Sequence, residues 1–179
     1  LSPLMLAIAF AIRLDSKGAA IFRQERTGKD GIPFTIYKYR TMIQDAQDQV
    51  EGLRELSEGS GPLFKMTEDP RVTRVGRFLR KSSLDELPQL FNVLLGTMSL
   101  VGPRPAIESE TSQYSPWVWR RLHVKPGMTG LWQVSGRSTL SWDESIRLDL
   151  KYVNNWTYFM DIKIMFRTVW VVLNRKGAW

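Results

Sequence analysis

Apart from Ser2, every position from Leu1 to Ile12 is apolar. At about 1.5 Å per residue, a helix of that length covers roughly 18 Å of a hydrocarbon layer about 30 Å thick, so it is too short to cross. Three readings fit these residues: the second half of a longer membrane segment that dips in and returns, the end of a spanning helix, or a helix buried in a protein core. A proline inside a membrane helix removes one backbone hydrogen bond, and an adjacent serine helps satisfy the freed carbonyls. Ser2-Pro3 is therefore a candidate turning point. Arg13 and Lys17 follow at once, as on a cytoplasmic face. The chain opens on Leu rather than Met, so an upstream segment is expected, and no basic leader or small-residue cleavage site marks a signal peptide.

Ala20 to Arg26 and Pro33 to Arg40 read as two strands around Gly28-Lys29-Asp30-Gly31, a hairpin in which Phe34 and Ile36 face opposite Thr35, Tyr37 and Tyr39. Asp45 to Leu56 is a polar helical stretch running into the loop-like Ser57-Glu58-Gly59-Ser60-Gly61-Pro62. Val72 to Lys81 sets Arg74, Arg77 and Lys81 at helical spacing beside Val75, Phe78 and Leu79. This basic amphipathic helix is suited either to anionic lipid or to packing on a core with a solvated outer face. Ser141-Trp142-Asp143-Glu144 is a capping-box pattern that opens a helix to about Asn154. A last helix, about Tyr158 to Asn174, is apolar around most of its circumference yet interrupted by Asp161, Lys163 and Arg167. Trp156, Tyr158, Trp170 and Trp179 suit an interfacial aromatic belt or core packing.

Composition narrows the chemistry. The 179 residues carry 25 Lys and Arg against 18 Asp and Glu, a formal charge of +7, which favours phosphate-bearing partners or an anionic membrane surface. With no cysteine there are no thiolate nucleophiles, zinc-thiolate sites or disulfides, and the single His123 rules out a multi-histidine metal site. No G-x-S-x-G, Walker A or G-x-G-x-x-G pattern occurs. Carboxylates, arginines and a hard metal remain.

Those groups are densest in Arg80-Lys81-Ser82-Ser83-Leu84-Asp85-Glu86-Leu87-Pro88 and in Gly102-Pro103-Arg104-Pro105. Ser83 and Glu86 fit a capping box, which would make the acids purely structural. With Ser83 as cap, Pro88 falls one turn in, where its missing N–H costs a bond. A helix starting at Asp85 places the proline in the tolerated first turn and both carboxylates at the helix mouth. An aspartate of ordinary pKa, near 3.9, is about a thousandfold ionised at neutral pH and needs no base to act as a nucleophile. Attack on an anionic phosphoryl group then calls for cations: Arg80, Arg104 and a Mg²⁺ ion held by Glu86. The prolines flanking Arg104 restrict its backbone, as suits a pre-positioned phosphate clamp or merely a rigid turn.

Six blocks resemble the bacterial sugar transferase family, the monotopic polyprenyl-phosphate phosphoglycosyl transferases. They are Ile21–Gly28, Lys38-Tyr39-Arg40-Thr41-Met42, Asp69–Gly76, Leu79–Val93, Ser99–Pro105 and Lys125–Gln133, in order along nearly the whole chain. The resemblance implies an enzyme on the cytoplasmic face of the bacterial inner membrane that moves a sugar-1-phosphate from a UDP-sugar to undecaprenyl phosphate and releases UMP. It implies that Asp85 is the nucleophile, forming a phosphosugar-aspartyl intermediate, and that Glu86 with Asp85 holds Mg²⁺. Lys38, Arg40, Arg80 and Arg104 match family positions tied to substrate, and Ser2-Pro3 matches the pair at which the family's re-entrant helix turns. The implied fold is helix-dominated α+β: a membrane-dipping N-terminal helix, truncated here, amphipathic interfacial helices and a small β-hairpin. Residues 1–17 would form the second half of the re-entrant helix and its exit, and residues 18–179 the catalytic domain. No motif names the sugar, with glucose or galactose fitting family members of similar appearance, and homo-oligomer formation stays open.

Two other classes compete. Gly28-Lys29-Asp30-Gly31 has the form of a KH loop, yet it lacks that module's helix-loop-helix context and leaves Asp85-Glu86 without purpose, so no nucleic acid partner is expected. A non-catalytic membrane scaffold would use the same amphipathic helices but not the dyad.

Overall fold

The computed structural model describes residues 2–53, 57, 66, 68–136 and 139–174, which form a helix-dominated α+β fold with two small two-stranded sheets. The apolar run becomes α1 (Ser2–Asp15), with Ser2 and Pro3 in its first turn, where a missing N–H breaks no helical bond. Its two faces differ. Ile8 and Ile12 are buried against Tyr39 and Leu79, whereas Leu6, Phe10 and Leu14, spaced four residues apart, are 72%, 66% and 73% exposed. Among the described residues no helix is long and apolar enough to cross a membrane.

The hairpin forms as its pattern predicts, with the first strand shifted one residue along the chain and the second ending one residue earlier than expected. β1 (Ile21–Thr27) pairs antiparallel with β2 (Pro33–Tyr39), from Ile21 opposite Tyr39 to Thr27 opposite Pro33. The turn passes through Asp30 and Gly31, both at positive φ. Ile36 and Tyr39 lie on opposite faces of β2 and are both buried, so this short strand is covered on two sides. Its free edge is closed by a side chain: Asn92 Oδ1 accepts from the Tyr37 N–H (3.1 Å), and Nδ2 donates to the Thr35 carbonyl (2.7 Å).

The polar stretch after the hairpin is less regular than expected. Turns precede a single helical turn, α2 (Val50–Leu53), while residues 54–56 and all of the Ser57–Pro62 loop except Ser57 lie outside the described residues. α3 (Arg74–Ser82) is the basic helix. Thr73 caps it by accepting from the Gly76 N–H at 3.0 Å, and Asp15 Oδ2, at the end of α1, accepts from the Val75 N–H at 3.0 Å. Both oxygens sit where exposed helix N–H groups favour an acceptor. Gly76 is required for contact, since a Cβ there would lie 2.0 Å from the Thr41 carbonyl oxygen.

Beyond the dyad come α4 (Gln89–Leu94), β3 (Ser99–Val101), α5 (Glu108–Thr111), α6 (Pro116–Trp119), β4 (Gly127–Thr129), α7 (Leu131–Ser135), α8 (Trp142–Asn154) and α9 (Tyr158–Leu173). β3 and β4 pair in parallel, bringing two of the sequence blocks together where a Cβ on Gly127 would lie 2.1 Å from the Gly102 nitrogen. The capping box of α8 is present as read: the Glu144 N–H donates to Ser141 Oγ, and the Ser141 N–H donates to Glu144 Oε2 at 2.8 Å. Asp161 proves to be an organiser of the last helix. Tyr152 Oη donates to its Oδ1 (2.8 Å) and Trp156 Nε1 to its Oδ2 (3.0 Å), which pins α9 to the end of α8. Trp156, Tyr158 and Trp170 are exposed, and Trp179 lies outside the described residues.

Candidate active site

The dyad sits at a sharp break between two helices. Ser83 adopts a left-handed conformation (φ 55°, ψ 18°) and ends α3 by donating its N–H to the carbonyls of Arg80 and Leu79. Leu84–Glu86 form one 3-10 turn, and α4 begins at Gln89, directly after Pro88. This corrects both helix starts weighed from the sequence. Ser83 ends α3 and also stands at the start of the 3-10 turn, but its hydroxyl makes no capping bond there, and Asp85 lies within that turn, ahead of α4. The reason is Pro88, which has no N–H to donate into a ladder begun earlier. Helix-dipole stabilisation fades within the first turn, so the charges that steady the dyad come from other elements.

Lys38, on β2, supplies the first: its Nζ lies 2.7 Å from Glu86 Oε1. Arg80, in the last turn of α3, supplies the second. Its Nε donates to Thr41 Oγ1 at 3.0 Å, and its guanidinium acts on Asp85. Burial lowers the Arg80 pKa, while the charges of Asp85 and Asp69 support its protonation. Asp85 itself is pushed up to about 6 by burial, then by the adjacent Glu86 charge, against the pull of Lys38 and Arg80. It is thus only about tenfold ionised at neutral pH, not the thousandfold of a free aspartate.

A cleft of about 160 Å³ opens beside this turn, lined by Lys38 and Glu86 together with Arg26, Arg104, Trp132 and Gln133. Arg104 is held from two directions. Its Nη1 donates to both oxygens of Glu110 (3.1 and 3.0 Å), an acid only 1% exposed, and its carbonyl accepts from Arg121 Nη2 at 3.0 Å. Arg121 is anchored by the buried Asp149 and by the Tyr114 hydroxyl. The neighbouring Pro105 carbonyl accepts from Arg26 Nη1 at 3.1 Å, so the segment is fixed by tertiary bonds as well as by its prolines.

The structure therefore gathers Asp85, Glu86, Lys38, Arg80 and Arg104 around one turn and cleft, and it places Arg40 elsewhere. The Arg40 guanidinium donates to the carbonyls of Lys17 and Ser16, the latter at 2.8 Å, where α1 ends. Between them, Tyr39 Oη donates to the Met5 carbonyl of α1 at 2.9 Å. Lys38 thus serves the dyad while Tyr39 and Arg40 fasten α1. Ser2 and Pro3 stand at the far end of that helix. Arg26, Glu110, Trp132 and Gln133 were not singled out from the sequence. Gln24 and Arg26 did carry a signal, polar residues two apart at the partly buried positions of β1, where apolar ones are usual.

The family model for bacterial sugar transferases matches residues 1–175. The undecaprenyl-phosphate galactose phosphotransferase of Salmonella typhimurium is 48% identical over 186 residues, covering 99% of this chain and 38% of its own. The UDP-galactose-lipid carrier transferase of Erwinia amylovora is 45% identical, covering 100% of this chain and 38% of its own. The exopolysaccharide production protein ExoY of Rhizobium meliloti is 38% identical, covering 99% of this chain and 80% of its own. The chain thus spans little more than a third of the first two relatives. A family match over nearly every residue, with the dyad, its cations and the glycine contacts in place, leads to one conclusion: the chain belongs to the bacterial sugar transferase family.

Proposed function

We propose that this protein transfers a sugar-1-phosphate from a UDP-sugar to undecaprenyl phosphate through a covalent intermediate on Asp85. The observation that carries the reading is a half-buried aspartate under the charges of Lys38 and Arg80, whose neighbour Glu86 lines a cleft together with Lys38, Arg26 and Arg104. In the first step a carboxylate oxygen of Asp85 attacks the sugar-bearing phosphorus, and the bond from that phosphorus to UMP breaks. In the second, a phosphate oxygen of the lipid attacks the same phosphorus, the bond to Asp85 breaks, and undecaprenyl-diphosphate-sugar is formed. Neither step needs a proton from the nucleophile, because ionised Asp85 already carries the electron pair. The cations lower the repulsion between carboxylate and phosphoryl oxygens, and their fixed positions make them effective as charge builds up. The names of relatives support galactose or glucose as the sugar.

Two adjacent carboxylates suit Mg²⁺, an ion commonly held by one or two acids plus substrate phosphates and water. Among the described residues no group of three acids or histidines could hold a metal by itself, so the donor set fits an ion shared with the substrate. Glu86 and Asp85 would hold it, and it would neutralise phosphoryl charge. Lys38 holds Glu86 in position beforehand.

The outer surface supports access to a lipid acceptor. The exposed Leu6, Phe10 and Leu14 stripe of α1 and the exposed Phe159, Phe166 and Leu173 of α9 are apolar area suited to the cytoplasmic leaflet of the inner membrane. Re-entry at Ser2-Pro3 belongs to this reading. The test is to incubate the membrane-reconstituted protein with UDP-hexoses, undecaprenyl phosphate and Mg²⁺ and to follow UMP. Radiolabelled sugar phosphate should be trapped on Asp85 when the lipid is withheld, and label on another residue or on none would refute the mechanism.

A further inference from the structure

Seven buried side-chain polar atoms among the described residues lack a hydrogen-bond partner, and three of them belong to residues that line the cleft: Arg26 Nε, Trp132 Nε1 and Gln133 Oε1. Buried polar groups are nearly always paired, so three left open in one place mark a surface built for something else to complete. The remaining atoms of these side chains are already engaged. Arg26 donates from Nη1 to the Pro105 carbonyl and from Nη2 to Gln24 Oε1, and Gln133 Nε2 donates to the Met128 carbonyl. What is left is a guanidinium N–H, an indole N–H and an amide oxygen.

The chemistry of these three atoms selects a ligand. Arg26 stands near Arg104, while the two acids whose charges act on it, Glu110 and Glu86, are paired with Arg104 and Lys38. An anionic oxygen is the natural partner for Arg26. Trp132 offers a donor and its sequence neighbour Gln133 an acceptor, and a hydroxyl satisfies both by accepting from the indole and donating to the amide oxygen. An anion joined to a hydroxyl-bearing ring is a sugar phosphate, and of the two in a UDP-sugar the hexose phosphate is the one that carries the phosphorus attacked beside Glu86, which lines this same cleft.

We propose that Arg26, Trp132 and Gln133 form the subsite for the sugar-phosphate half of the donor. Arg26 contacts the sugar-linked phosphoryl group, and the Trp132–Gln133 pair reads a ring hydroxyl. This rests on the transfer reaction proposed above and adds the residues that recognise the sugar. The phosphorus then lies toward Lys38 and Glu86 and the sugar toward α7.

The experiment measures UMP release by the membrane-reconstituted protein with undecaprenyl phosphate and the UDP-hexose it uses fastest, together with inhibition by UDP, which has the ribose and the diphosphate but no hexose. Trp132→Phe deletes the indole N–H and Gln133→Met the amide. Each should raise KM for the UDP-hexose about tenfold, the effect of one lost hydrogen bond, and leave inhibition by UDP within about twofold. Because Trp132 Nε1 makes no bond within the protein, Trp132→Phe should not lower the melting temperature, which a merely structural role would require. Unchanged KM in both variants would overturn the subsite while leaving the transfer reaction intact. A loss of UDP inhibition as large as the rise in KM would show that the pair contacts the nucleotide and would overturn the sugar assignment. No UMP release by the unaltered protein from any UDP-hexose would overturn the transfer reading, and the assigned substrate with it.

Discussion

Lys38 reaches from β2 to place its ammonium 2.7 Å from Oε1 of Glu86, so the second acid of the dyad is tied to the hairpin. That contact also limits how far Glu86 can raise its neighbour, since Lys38 opposes the upward shift that brings Asp85 to about 6. Lys38→Met should therefore move the acid limb of the kcat/KM profile to higher pH by about one unit and lower turnover at neutral pH several-fold. A profile superimposable on that of the unaltered protein would show that Lys38 does not act on the dyad.

Asp85→Asn separates function from stability. Burial holds the folded-state pKa above its unfolded value, so the contribution of Asp85 to stability is present in acid and is lost as the pH rises through about 6. At pH 7 the ionised side chain is a liability to the fold, and Asp85→Asn should raise stability by roughly 1–3 kcal/mol while abolishing UMP release. The gain should shrink as the pH is lowered from 6 toward 4. Thermal unfolding across that window, beside turnover at pH 7, checks both halves.

Arg40 and Tyr39 should behave as fasteners. Tyr39→Phe removes the bond to the Met5 carbonyl, and Arg40→Ala removes the guanidinium from the carbonyls of Ser16 and Lys17. Each should lower stability by about 1–2 kcal/mol, the usual range for a lost hydrogen bond or for a carbonyl left unpaired. KM for the UDP-sugar should remain within about twofold, because neither contact enters the cleft. A large rise in KM for Arg40→Ala with unchanged melting would return that residue to the substrate.

What the sequence made legible was local. The α8 capping box needs only Ser141 and Glu144, three residues apart, and the hairpin needs only alternation around Gly28–Gly31. The dyad was legible as chemistry but not as structure, because its 3-10 turn depends on a left-handed Ser83 in a conformation usually left to glycine. β3 and β4 are three residues each and pair in parallel across an intervening stretch, too short to leave a periodic trace. The place of Arg40 was hidden for a related reason. Strand alternation would set Arg40 on the same face as Lys38, but β2 ends at Tyr39, and one residue beyond it the Arg40 guanidinium turns to the carbonyls at the end of α1.

Arg104 and Glu110 give the sharpest test of preorganisation. Glu110 is buried and accepts two bonds from one guanidinium nitrogen, while Arg121, anchored on Asp149, holds the Arg104 carbonyl. Arg104→Ala removes a phosphate-facing cation and strands the Glu110 charge, so it should lose both turnover and about 3–5 kcal/mol of stability. Those losses separate in the double variant Arg104→Met with Glu110→Gln, where no buried charge is left alone. Stability should then recover by at least about 1–2 kcal/mol, while turnover stays about a hundredfold or more below that of the unaltered protein. Glu110→Gln alone keeps Arg104 cationic but loosens its aim, so kcat should fall more than KM rises. If the double variant regained turnover along with stability, Arg104 would be a structural partner of Glu110 and nothing more.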